Sequence, residues 1–203
     1  MRGGGKETEY FFNLLGKNMS ENLQDVLLSE IADLLTDGSE TALKYKQRIK
    51  EGSLTRDENS GSHLCVYFAA IDSGAKKIFI GDHKKSGLWL FNGGHLDERE
   101  NFRMAVKREI EEEWGLDAES LNVSKPELLT ILSIENPRQI CKIHFDVWHF
   151  VDVDMDTFNP DPFKLAEETY ETRWLDLNEA RQMPVVEETL LGFDFIEKKY
   201  FAK

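Results

Sequence analysis

Between Gly93 and Leu116 the chain reads GGHLDERENFRMAVKREIEEEWGL, two glycines followed by a run dense in carboxylates with one arginine set against them. Glu109, Glu112 and Glu113 stand at i, i+3 and i+4, so on a helix they fall within an arc of roughly 100° on one side. Like charges at those spacings repel by roughly 0.2–0.5 kcal/mol per pair. Two things could offset that cost: water around a solvated acidic face, which is the ordinary meaning of a run such as EIEEE, or a divalent cation held through oxygen. Arg108 keeps its proton and carries a forked set of donors, so it can fix the orientation of Glu109 and favour its ionised form. Ala105, one turn earlier, leaves space on the same side. Gly93-Gly94 permits a tight loop whose backbone carbonyl can also face a metal.

These groups need a helix, a loop ahead of it and a scaffold beneath. The 203 residues, 40% hydrophobic and 31% charged, suffice for one domain with a full core plus an extension. Residues 20–36 read as an amphipathic helix capped by Ser20, with Leu23, Val26, Leu27, Ile31, Leu34 and Leu35 at helical spacing. A second helix is expected over 39–50 and a polar boundary over 52–62. Strands are expected at 63–71, 77–81, 88–91, 127–134, 140–153 and 171–177, with helices at 101–114, just after 177, and at 187–201. The segment 154–165 reads as a proline-interrupted acidic loop, and 1–17 as a glycine-rich start with a short apolar patch. This irregular alternation favours an α+β fold with a mixed sheet over a doubly wound parallel one.

The net charge of −13 disfavours non-specific binding to nucleic acid or anionic membrane. A small anionic substrate stays compatible if cations bridge the like charges. No apolar run reaches the ~18 residues of a membrane span, and the N-terminus lacks the apolar core of a secretion signal, so a cytoplasmic location is expected. Cys65 and Cys141 lie in apolar strand-like runs and read as buried free thiols rather than a disulfide or a metal site.

Taken together, Gly94, Glu100, Arg108, Glu109, Ile110, Glu112, Glu113, Gly115 and Leu116 match position for position the signature of the Nudix hydrolase superfamily: G, five residues, E, seven residues, then R-E-U-x-E-E-x-G-U with U aliphatic. Trp89 just upstream and TRWLDLNEA at 172–180 also resemble the superfamily. The N-terminal helices, with HLCVYFAAI, HKKSGLWLFNGGHLD and a later HFD, are similar to a bacterial subgroup with a helical extension. One position departs: proline often precedes the paired glycines, and here stands Asn92, whose amide could reach the substrate.

The resemblance implies a Nudix fold, a mixed sheet sandwiched between helices (α/β/α), with a helical extension over 1–57 and the Nudix domain over 58–203. It implies hydrolysis of a nucleoside diphosphate linked to another group, by water that Mg²⁺, or Mn²⁺, activates. Glu112 and Glu113 would be metal ligands with the Gly93 carbonyl, Glu109 a ligand or the base, Arg108 its orienting partner, and Glu100 a further metal partner. Some members place the base outside the signature, where Glu168 and Glu171 are candidates against an exposed acidic loop. The expected partner is a small nucleoside diphosphate derivative, and dimers are common in the superfamily. A nucleotide sensor without turnover and an isoprenoid diphosphate isomerase are the other functions found there. The first usually loses signature glutamates, which are all present here; the second needs a cysteine in a suitable loop.

Selectivity should lie outside the signature. Lys84, Lys85 and Arg138 could meet phosphate, or be solvated loop cations. Phe91, Trp148 and Phe158 could stack on a base, although strand aromatics are usually core. His144 and Asp146 share a strand face, as a pocket pair or a buried hydrogen-bonded pair; His149 reads as structural.

Overall fold

The computed structural model describes residues 23–135 and 139–202. The Ser20 cap, the patch near residue 11 and Arg138 lie outside these residues.

Helix α1 covers 23–30, and a 3₁₀ turn follows at Ala32–Leu35. Helix α2, Glu40–Glu51, starts where the Ser39 side chain accepts from the Ala42 N–H. Leu27, Ile31, Leu35, Ala42, Tyr45 and Ile49 are buried against Leu64, Val66 and Phe68 of the sheet. The apolar stripe of the extension therefore has the core as its partner. Two polar ties fasten it: the Tyr45 hydroxyl donates to the Thr130 carbonyl at 2.9 Å, and Arg48 donates to the carbonyls of Gly52, Ser53 and Ser62 at 2.6–2.8 Å.

The strands are β1 (Ser62–Asp72), β2 (Lys77–His83), β3 (Leu88–Leu90), β4 (Asn92–His95), β5 (Leu128–Ser133), β6 (Ile143–Asp152) and β7 (Thr169–Leu175). They form one mixed sheet in the order β3-β2-β1-β6-β5, with β4 paired to β1 and β7 to β2. Only β1 and β6 run parallel, from Ser62 opposite Ile143 to Ile71 opposite Asp152. The later helices are α3 (Phe102–Glu113), α4 (Pro162–Glu168), α5 (Leu177–Ala180) and α6 (Glu187–Ile196), the last continuing in a π turn through Phe201. One apolar layer joins the sheet to α1, α2 and α3. A second, built on Ala69, Ile71, Ile80, Trp148 and Phe150, packs under Leu177, Ala180, Phe193 and Ile196. This is the expected mixed sheet between helices. Among the described residues no helix is long and apolar enough to cross a membrane.

Two elements differ from the sequence reading. NGGH is a strand, not a loop, because four of its residues pair with Cys65–Phe68 of β1; that tertiary pairing overrides a sequence with little intrinsic strand preference. The acidic loop contains α4, whose start carries a readable signal: Asp161 accepts from the Phe163 N–H, and Pro162 occupies the first turn.

Candidate active site

Helix α3 opens where the Asn101 side chain accepts from the Met104 N–H, and Gly115 follows its end at φ 64°, the left-handed conformation that stops helices. Phe102, Ala105, Val106 and Ile110 are buried along one face, which fixes the helix's rotation and turns Glu109 and Glu113 toward β4. Glu109 is only 7% exposed. It lies so close to the preceding loop that a Cβ on Gly94 would fall 1.9 Å from Glu109 Oε1, and one on Gly93 would fall 2.4 Å from the Val66 carbonyl oxygen. The paired glycines are thus needed for close approach of strand and carboxylate.

Arg108 organises the acids. Its Nε and Nη2 donate to the two Glu100 oxygens at 2.8 Å each, Nη1 to Glu109 Oε1 at 2.8 Å and Glu112 Oε2 at 3.1 Å, and Nη2 also to the His95 carbonyl at 2.9 Å. Hydrogen bonding to Glu100 comes first among the causes that push the guanidinium's pKa up. Glu113 has a different partner. Asn92 Nδ2 donates to its Oε2 at 2.6 Å, and Asn92 Oδ1 accepts from Trp114 Nε1 at 2.9 Å.

Burial pushes the Glu113 carboxyl up to about 8, with Glu109 and Glu168 adding to the effect and Asn92 opposing it. Burial also raises Glu109, against the pull of Arg108. Glu168 behaves oppositely. Burial alone would raise it, but Lys85 at 2.7 Å and His83 outweigh that and hold it below its usual value. These are oxygen ligands, close together and short of positive charge, which is the donor chemistry of a hard divalent cation. The raised Glu113 carboxyl in particular marks a place where added positive charge is favoured. The residues therefore fit Mg²⁺ or Mn²⁺.

One cleft of about 780 Å³ gathers Gly93, Gly94, Glu109, Glu113, Lys85 and Glu168 in its walls. Glu112 lies exposed on α3, beside the Arg108 tip. Several expected residues sit elsewhere. Both Glu100 oxygens accept from Arg108, so Glu100 braces the arginine, and it does not line the cleft. Lys84 turns away, donating to the Ala166 carbonyl and lying over the Tyr170 ring. Phe91 borders the cleft but is 4% exposed, its ring packed edge-on against Trp148 and Phe193 in the core. Phe158 packs on Trp114 and Phe79. Glu171 pairs with Arg173 on the exposed face of β7. Asn92 lines the cleft too, and its amide is engaged with Glu113. Sequence reasoning missed His83 and Tyr67, which also line the cleft; strand alternation around Lys85 and Cys65 was the available signal.

The solved structures show the same fold. The E. coli dihydroneopterin triphosphate pyrophosphohydrolase is 16% identical, with a TM-score of 0.54 over 68% of this chain and 94% of that one. The NUDIX domain of Shewanella oneidensis NrtR, solved with ADP ribose, is 16% identical, with a TM-score of 0.52 over 67% of this chain and 86% of that one. No curated protein matches the sequence. The NUDIX domain model matches residues 62–191, more than half the chain and all of the cleft's acidic side chains, and the protein accordingly belongs to the NUDIX family.

Proposed function

We propose that the protein is a Mg²⁺- or Mn²⁺-dependent pyrophosphohydrolase that cleaves the diphosphate linkage of a small nucleoside diphosphate derivative. The observation that carries this reading is the convergence of Glu109, Glu113, the Gly93-Gly94 backbone and the Lys85–Glu168 pair on one cleft, with Glu112 at the Arg108 tip. Glu112 and Glu113, with the Gly93 carbonyl, would hold the cation, leaving Glu109 free to act as base. When bound it supplies positive charge against the diphosphate and makes the attacking water more acidic.

The chain's own groups do the rest. Arg108 locks Glu109 in one orientation, so no reorganisation is needed when a proton arrives. Glu109 is the stronger base of the two candidates, because burial raises it while Lys85 and His83 hold Glu168 down. It takes the proton of the water whose oxygen attacks phosphorus, as the bridging P–O bond breaks and the second phosphate leaves with the bond's electrons. Lys85, on the opposite wall, offers its ammonium to the substrate's phosphate oxygens, and Glu168 positions that lysine. Cleavage of an acid anhydride in this way is mainly positioning and charge neutralisation.

The test is a panel of nucleotide sugars, dinucleoside polyphosphates, ADP-ribose and nucleoside triphosphates with each cation, detecting phosphomonoester through a coupled phosphatase. Metal-dependent release from at least one diphosphate derivative is expected. Tight nucleotide binding with no release from any of them would make the protein a sensor instead.

A further inference from the structure

At the far end of the same cleft stands a second group of ligands, of a different chemical kind. His63 and Cys65 lie two residues apart on β1, on one face of the strand. The parallel register sets His63 opposite His144 of β6, and the antiparallel register sets Cys65 opposite His95 of β4. Three strands thus deliver three imidazoles and a thiol to one point. One ligand atom from each lies within 4.8 Å of all the others. The imidazole centroids are 4.8, 4.9 and 5.2 Å apart.

Hydrogen bonds satisfy only part of the cluster: His95 Nε2 meets Cys141 Sγ at 4.0 Å, while two other imidazole nitrogens have no partner. His63 is fully buried. Its Nδ1 lies 2.9 Å from the Asn59 carbonyl, and a carbonyl only accepts, so Nδ1 carries the proton and Nε2 a bare lone pair. That Nε2 has no hydrogen-bond partner, and neither has His144 Nε2. A buried nitrogen left unpaired costs about 1–3 kcal/mol, and two occur within one cluster. A histidine whose second nitrogen donates to a backbone carbonyl is the usual way a protein orients a metal-binding imidazole. Burial lowers the pKa of all three imidazoles, and the neighbouring rings add to the effect at His95 and His144.

We propose that His63, Cys65, His95 and His144 form a zinc site, separate from the glutamate site and built to bind a borderline-soft divalent metal. Nitrogen and sulfur donors suit Zn²⁺ and not Mg²⁺. Four protein ligands close the coordination sphere, which marks a structural site. Bond lengths of about 2.0–2.3 Å put tetrahedral ligands roughly 3.3–3.7 Å apart, so binding draws the four groups inward by about an ångström through side-chain torsions. Cys65 loses its thiol proton to solvent on binding, and its sulfur supplies the fourth electron pair. His95 and His144 border the cleft, which gives the ion its way in. Bound there, the ion cross-links β1, β4 and β6. His95 adjoins Gly94, and its carbonyl accepts from Arg108, so the same cross-link fixes β4 beside the glutamate site.

The experiment takes the full chain, stripped with chelator, and titrates it with Zn²⁺ and with Co²⁺ as a coloured substitute. The expected result is one equivalent of Zn²⁺, and a Co²⁺ complex with intense tetrahedral d–d bands and a thiolate-to-cobalt charge-transfer band. His144→Ala should weaken Zn²⁺ binding by about a hundredfold or more, and Cys65→Ser should abolish the charge-transfer band. Cys141→Ser and the double variant Glu112→Gln/Glu113→Gln should leave both unchanged. A pale octahedral Co²⁺ spectrum in the wild-type chain would overturn the proposal whatever the variants do. So would a charge-transfer band that survives Cys65→Ser, or Zn²⁺ binding lost in the glutamate variant and kept in His144→Ala. The glutamate variant loses turnover on the hydrolase reading in either case, so the two readings fail separately.

Discussion

Asn92 and Glu113 share a 2.6 Å hydrogen bond whose direction is set by a third residue. The Trp114 indole can only donate, so the asparagine oxygen must face it and the NH₂ group must face the glutamate. Asn92, where relatives often have proline, is thereby a relay from the end of α3 to a candidate metal ligand. Asn92→Leu removes the donor that favours the Glu113 carboxylate and orphans a buried indole N–H. Mn²⁺ affinity should fall by about tenfold and stability by about 1–3 kcal/mol, read by calorimetric titration and urea melts. Unchanged Mn²⁺ affinity would reduce the relay to a packing contact.

Glu113→Gln should separate stability from activity. The folded carboxyl sits at about 8 against an ordinary 4.5. The folded state therefore keeps a proton that the unfolded chain loses above its own pKa. The sign follows: the Glu113 contribution to metal-free stability is fully present below about pH 4.5, is lost as pH rises toward 8, and is flat beyond. Glutamine cannot ionise and removes this slope. In chelator at pH 8 the variant should be more stable than wild type by about 4 kcal/mol, with little difference at pH 4, while turnover falls about a hundredfold or more. Parallel stability–pH curves for the two proteins would refute the assigned shift.

Arg108→Lys keeps the charge and loses the fork. A lysine cannot span Glu100, Glu109 and the His95 carbonyl together, so Glu109 loses its fixed orientation. About 2–3 kcal/mol of stability and at least about tenfold in kcat should go, with KM moving less. A kcat equal to wild type would show that orienting Glu109 is irrelevant to turnover.

Gly94→Ala inserts a methyl group where Glu109 Oε1 already stands. The carboxylate must shift by more than an ångström, which should cost about a hundredfold in kcat with far-ultraviolet circular dichroism unchanged. Retained kcat would mean that Glu109 works from another position.

Much of this arrangement is written in the sequence because periodicity and spacing are local. The helix with Glu109, Glu112 and Glu113, the β1–β2 hairpin and the amphipathic 23–35 segment all announce themselves within a few residues. What escapes is what depends on partners far along the chain. NGGH becomes a strand only because β1 lies beside it. Glu100 looks like a ligand until Arg108 is seen to occupy both its oxygens, and Phe91 looks like a stacking platform until Trp148 and Phe193 enclose it. Cys65 reads as an inert core thiol because two of the three histidines around it come from positions 30 and 79 residues away, and only strand register brings them together.

That register has a kinetic consequence. β1 and β6 pair in parallel across 81 residues, and the whole of α3 and its glycine loop lies inside the segment they enclose. Closing so long a loop loses entropy before any contact returns it. During synthesis the nascent chain exposes the acidic helix well before its last central strand leaves the ribosome. The helix and its glutamates can exist early; the cleft cannot, and competence arrives late, when β6 docks and the Glu168 segment follows it.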